Sequence, residues 1–313
     1  MPFAASGGPV DSPSVPASSA DRPFGSLLTA MVTPMTDDGA VDLDAAVRLA
    51  VHLADAGHDG LVLNGTTGEA PTTTDREKAD LVREVAGALA GRAVVLAGAG
   101  SNDTRHAVEL ARQAADAGAD GLLSVTPYYS RPSQEGVVAH LTAVADASDL
   151  PVMLYDVPAR TGLRLGADSV RRLADHPRIT AVKDATQDPL AAFRLIPETG
   201  LAWYCGDDDL LLPYLSVGAV GLVSMAGHLV GPQLARVIAL AGAGDPAGAR
   251  EVFRSVLPVV DLVSGSGNGA LRSKLALALS GLIPGAAMRL PQLAAGELET
   301  AEVRAALTAA LGG

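Results

Sequence analysis

The chain has 313 residues, of which 48% are hydrophobic and 19% charged, so it can bury a sizeable core as one large domain or two ordinary ones. Its formal net charge of −12 opposes general binding to phosphate backbones. The single cysteine, Cys205, excludes a disulfide framework or a thiolate metal cluster within one chain, and no two histidines stand four apart about a glutamate as a zinc-hydrolase helix requires.

Residues 1–23 are dominated by Pro, Ser, Gly and Ala without periodicity and predict a disordered leader. They lack the basic start and apolar run of a secretory signal, and no stretch of about 18 apolar residues follows, so a cytoplasmic protein is expected. From residue 24 short apolar runs recur at 27–33, 59–64, 93–98, 120–125, 151–156, 179–183, 202–206 and 219–224, the pattern of buried parallel strands. Amphipathic, Ala-rich stretches separate them, as at 42–56, 74–90 and 102–118. Asp42, Thr74 and Asn102 read as N-caps, and Gly57, Gly91 and Gly118 as the residues just past helix ends.

Eight strands alternating with helices predict an α/β fold, a closed (β/α)8 TIM barrel, over residues 24–243. A doubly wound open sheet is the alternative, but no GxGxxG follows the first strand. Residues 244–313 read as a C-terminal helical appendage, with helical stretches at 247–263, 269–282 and 297–311.

Barrel chemistry sits at the carboxyl ends of the strands. There the sequence places Thr33-Pro34, Gly65-Thr66-Thr67-Gly68-Glu69, Thr126-Pro127-Tyr128-Tyr129, Tyr155 to Gly162, Lys183 and Gly206 to Asp209. Only three of the basic residues are lysines, so the search for an amine nucleophile is short. Lys183 closes the apolar run 179–182. Desolvation favours the neutral form of such an amine, which can form a Schiff base with a carbonyl; the other reading is an ion pair with Asp184. Lys78 reads as a solvated surface charge beside Glu77 and Asp80, and Lys274 as decoration of an amphipathic helix. The Gly65–Gly68 loop suits an anion pocket or a tight turn. Tyr155 suits proton transfer or packing, and Arg160 suits carboxylate capture or an internal ion pair. The Asp207–Asp209 run reads as the opening of the helix after strand 7 rather than a metal site.

In order along the chain, GTTGE (65–69), TPYYSRP (126–132), YDVPARTG (155–162), VKDAT (182–186) and GDDD (206–209) resemble the dihydrodipicolinate synthase family, pyruvate-dependent Schiff-base lyases of lysine and diaminopimelate biosynthesis. The resemblance covers about residues 24–282. It implies that Lys183 forms an imine with pyruvate, whose enamine attacks L-aspartate-4-semialdehyde. It implies that Tyr155 passes protons with Thr67 and with Tyr129 donated by a neighbouring subunit, and that Thr66 and Thr67 hold the pyruvate carboxylate. Arg160 would bind the carboxylate of the semialdehyde, and Gly206 and Val223 would line the pocket. It further implies a homotetramer built as a dimer of dimers, with no metal and no organic cofactor.

Asp156 stands where many members have Asn, and Ala70 where Ser is frequent. Members inhibited by lysine bind it near the position of Tyr128, with a Glu early in the third helix and a His in the second. His106 and Lys78 stand there in this chain, so weak or absent inhibition by lysine is expected. Two other readings are a related lyase acting on a sugar acid and a non-catalytic binding paralogue. The carboxylate clamp expected of Arg160 speaks against the first, and the set of Lys183, Tyr155 and Thr67 against the second.

Overall fold

The computed structural model describes residues 22–265 and 268–311, so most of the expected leader (1–21) lies outside the described residues. Eight strands, β1 (Leu27–Ala30), β2 (Gly60–Leu63), β3 (Val94–Gly98), β4 (Gly121–Val125), β5 (Val152–Asp156), β6 (Ile179–Asp184), β7 (Ala202–Cys205) and β8 (Gly221–Ser224), form a closed parallel barrel in sequence order. β1 pairs with β8 to complete it. The expected TIM barrel is the observed fold.

Each strand alternates its side chains between two cores. Leu28, Val62, Leu96, Met153, Tyr204 and Val223 point inward and fill the lumen. Leu27, Leu61, Val95, Leu122, Val152 and Val182 point outward against the helices. The helices that cover them begin with α1 (Leu43–Asp55), α2 (Asp75–Leu89), α3 (Thr104–Asp116) and α4 (Gln134–Ala145).

Their ends follow local chemistry. The Asp42 side chain accepts from Ala45 N, and Thr74 and Glu77 form a reciprocal capping box on α2. Gly57, Gly91 and Gly118 take left-handed φ angles of 87°, 80° and 90° past the helix ends. The N-cap of α3 is Asp103 rather than the expected Asn102: its carboxylate accepts from Arg105 N at 3.0 Å.

The loop after β5 forms a single turn, α5 (Pro158–Thr161), before α6 (Ala167–Ala174). Then come α7 (Pro189–Thr199), α8 (Leu211–Ser216) and α9 (Gly227–Gly242). Three further helices follow, α10 (Pro246–Ser264), α11 (Gly269–Leu279) and α12 (Glu297–Leu311). α10 packs along α9, and α12 packs on α10 and α11. Between α11 and α12 the chain returns to the barrel mouth, where Met288, Pro291 and Gln292 face the cavity described below.

Barrel closure leaves no room at Gly221, where an added Cβ would lie 2.1 Å from the Ser26 carbonyl oxygen. Gly221→Ala is expected to lower stability by about 2 kcal/mol or more through the displaced β1–β8 seam. Chemical denaturation followed by the fluorescence of the single tryptophan measures this; an unchanged midpoint contradicts the tight seam.

Candidate active site

A cavity of about 300 Å³ opens at the carboxyl ends of the strands. Six of the eight residues singled out by sequence line it: Thr66, Thr67, Tyr155, Arg160, Lys183 and Gly206. Asp207 and residues of the C-terminal crossing complete the wall.

Lys183 follows Ala181 on the inner face of β6 and is only 6% exposed. Strand pairing sets it directly beside Tyr155 on β5, and its Nζ lies 4.3 Å from the centre of that ring. The ion pair between Lys183 and Asp184 does not form, because successive side chains of a strand point to opposite faces. Asp184 faces outward, where its carboxylate accepts from Trp203 Nε1 at 2.8 Å and Thr186 N at 2.9 Å. The Lys183 amine is thus left facing the cavity.

The loop after β2 is built from strained backbone. Asn64 and Glu69, at its two ends, both take left-handed φ values of 55° and 56°, rare for residues with a Cβ. Thr33 Oγ1 donates to Gly68 O at 2.7 Å, and Glu69 N to Thr66 O at 3.1 Å. A Cβ at Gly68 would crowd Met31 O and Thr33 Oγ1. Thr67 is buried and Thr66 exposed.

Arg160 projects from α5 at the rim, and no salt bridge engages its guanidinium among the described residues. The neighbouring Arg164 takes the local acid instead, 3.0 Å from Asp188. Gly206 N donates to Asp184 O at 2.7 Å, and a Cβ there would come within 2.9 Å of that same oxygen. Two residues stand apart from the cavity. Val223 is buried in the lumen packing, and Tyr129 is 90% exposed with a left-handed φ of 72°.

Several sequence readings are corrected. Lys78 is not a solvated charge: its side chain is 11% exposed, and its ammonium, pushed down by burial, donates to Thr73 O at 2.5 Å. Lys274 is not surface decoration. It is fully buried and paired with Glu69 of the GTTGE loop. The Asp208 carboxylate does not serve its own turn; it accepts from Ser224 Oγ, Met225 N and Ala226 N, clamping the start of the loop after β8. The sequence reading missed the Glu69–Lys274 contact, although one signal was there. No acid occurs between residues 262 and 296, so a lysine in that apolar helix needs a distant partner.

Fold and site together define a (β/α)8 barrel with a buried amine, a phenol and hydroxyls converging in its mouth. The model of the dihydrodipicolinate synthetase family matches residues 23–310. The 4-hydroxy-tetrahydrodipicolinate synthase 2 of Streptomyces coelicolor is 53% identical over 94% of this chain and 98% of that protein. The corresponding synthase of Acidothermus cellulolyticus is 51% identical over 92% and 93%. Among solved structures, dihydrodipicolinate synthase from Bacillus anthracis superposes with a TM-score of 0.87 at 38% identity, covering 91% of this chain and 98% of its own. The lysine-bound enzyme of Cyanidioschyzon merolae gives 0.88 at 39% identity, covering 92% and 98%. This chain belongs to the dihydrodipicolinate synthetase family.

Asp156, beside Tyr155, faces the outer layer. One carboxylate oxygen accepts from Leu165 N at 3.2 Å, and the other has no partner. Burial, helped by the nearby Asp184 charge, raises its pKa to about 7. In the unfolded chain a carboxyl titrates near about 4, so below that pH both states are protonated and ionisation costs the fold nothing. As pH rises through the folded value the cost becomes complete. Asp156→Asn is therefore expected to stabilise the protein by about 2–4 kcal/mol at pH 8, with the gain fading toward pH 4. Thermal melts of both proteins across that range test it; a gain independent of pH contradicts the assignment.

Proposed function

We propose that this protein is a 4-hydroxy-tetrahydrodipicolinate synthase, a lyase that condenses pyruvate with L-aspartate-4-semialdehyde. The observation that carries the reading is the Lys183 amine, free of protein partners and set in one cavity with Tyr155 and Thr67. The naming of the relatives over nearly the whole chain supports it and favours this activity over sugar-acid cleavage.

The pyruvate carboxylate is held by Thr66 and Thr67 at the loop after β2. The free amine of Lys183 attacks the pyruvate C2 carbonyl. Water leaves from the carbinolamine to give the imine, and loss of a proton from C3 gives the enamine. That carbon attacks the semialdehyde aldehyde, whose oxygen gains a proton. The amine of the adduct then displaces Lys183 in a ring closure, regenerating the enzyme. Tyr155 carries the protons, passing them through Thr67 and through Tyr129 of a neighbouring copy. Arg160 binds the semialdehyde carboxylate in a two-pronged contact, while Gly206 and Val223 shape the pocket.

A dimer of dimers fits the surface. Tyr129 projects away from its own cavity in a strained conformation that a neighbouring copy would stabilise. Leu190 and Phe193 form a second exposed apolar patch on α7.

Borohydride added with pyruvate is expected to fix a three-carbon adduct on Lys183, read by peptide mass spectrometry, and Lys183→Ala to abolish it. Arg160→Ala should reduce kcat/KM for the semialdehyde by about 100-fold while leaving imine trapping nearly intact. Equal damage to both steps contradicts the role given to Arg160.

Feedback by lysine is proposed to be weak or absent. Lys78 and His106 surround Asp75, with Lys78 Nζ 3.7 Å and His106 Nε2 3.0 Å from its carboxylate. The one acid there is already engaged, and an incoming ammonium meets a fixed cation. L-lysine at about 1 mM is expected to leave the rate within about 20% of its uninhibited value in a steady-state assay. Half-inhibition below that concentration sinks this proposal.

A further inference from the structure

A single buried carboxylate ties the loop after β2 to the C-terminal part of the chain. Glu69 ends that loop in the left-handed conformation, with its side chain only 4% exposed. Lys274 of α11, with a side chain 0% exposed, donates to one of its carboxylate oxygens and to Ala287 O at 2.8 Å. The backbone N–H of Arg289 donates to the other oxygen at 3.1 Å. The guanidinium of Arg289 then reaches around the loop, donating to Gly39 O and Thr72 O at 2.8 Å each and to Glu77 at 2.9 Å. Met288, Pro291 and Gln292, on either side of this anchor, are walls of the same cavity that Thr66 and Thr67 line.

A left-handed residue with a Cβ persists only where its surroundings over-determine it. A carboxylate withdrawn from water needs a partner, and removing that partner costs far more than an exposed ion pair would. Both conditions are met at Glu69 by groups from one segment, residues 274–289. We propose that Lys274 is a positioning residue for the reaction. Through Glu69, and with Arg289, it holds Thr66 and Thr67 in the arrangement that receives the pyruvate carboxylate. This rests on the function proposed above. Arg160 sits on α5, after β5, outside this chain of contacts, so loss of the tether weakens the hold on pyruvate and spares the hold on the semialdehyde.

The test is Lys274→Met in the full-length protein. The pyruvate concentration giving half-maximal borohydride trapping, and the KM for pyruvate, are expected to rise about tenfold or more, with the KM for the semialdehyde within about twofold of the parent. A merely structural lysine would move both constants or neither. If the single variant does not fold, Glu69→Gln with Lys274→Met removes both charges together. It is expected to recover the melting temperature while keeping the selective pyruvate defect. The proposal is overturned if either folded variant binds pyruvate like the parent, if both substrates suffer alike, or if the double variant is no more stable than the single. Failure of the parent protein itself to trap pyruvate on Lys183 would instead refute the proposed function.

Discussion

The phase of one strand decides where this barrel can do chemistry. On β6 the inward positions are Ala181 and Lys183 and the outward ones Val182 and Asp184. A slip of one residue would send the amine into the helical layer and an acid into the mouth. That slip is opposed from outside the barrel. The Asp184 carboxylate is engaged by Trp203 Nε1 and Thr186 N, and its carbonyl accepts from Gly206 N. The outward acid thus fixes the inward base, although the two never pair.

The same alternation grades the lumen from floor to mouth. Low in the barrel, Leu28, Leu96 and Tyr204 fill the space, and the Tyr204 hydroxyl donates to Gly25 O at 2.8 Å near the amino ends of the strands. Toward the carboxyl ends the inner positions become Ala30, Val62 and Leu123, and the cavity begins where these smaller side chains stop filling the cross-section. A polar group there works among aliphatic walls, where electrostatic contacts weaken less than they do in water. The chain's shortage of aromatics makes Tyr155, which shares both the lumen cluster and the cavity wall, a conspicuous exception.

What the sequence made legible was local or periodic. Apolar runs of strand length marked all eight strands, because in a parallel barrel both faces of each strand are buried and the runs stay continuous. Caps such as Asp42 and Thr74 were readable because capping depends on residues three positions away. The cap of α3 slipped by one, since Asn102 and Asp103 are both competent and only the backbone path chooses between them. Lys274 and Asp208 were misread for a different reason. Their partners, Glu69 and the 224–226 turn, lie far away in sequence or on another strand end, and no local pattern announces a contact that the closed barrel creates. Arg160 and Lys183 kept two readings each until the fold removed the neighbouring acids from reach.

The C-terminal helices are therefore more than a cover for the barrel. A (β/α)8 barrel on its own leaves the loop after β2 with a carboxylate to bury and two left-handed residues to sustain. Residues 274–289 supply the cation, the backbone N–H and the guanidinium that meet those needs, and the crossing that follows supplies the cavity's outer wall. Strain in the loop and burial of Glu69 would each be destabilising alone. Combined through one ion pair they make the loop's shape conditional on the docking of α11, so the pocket is complete only when the last third of the chain has folded against the first.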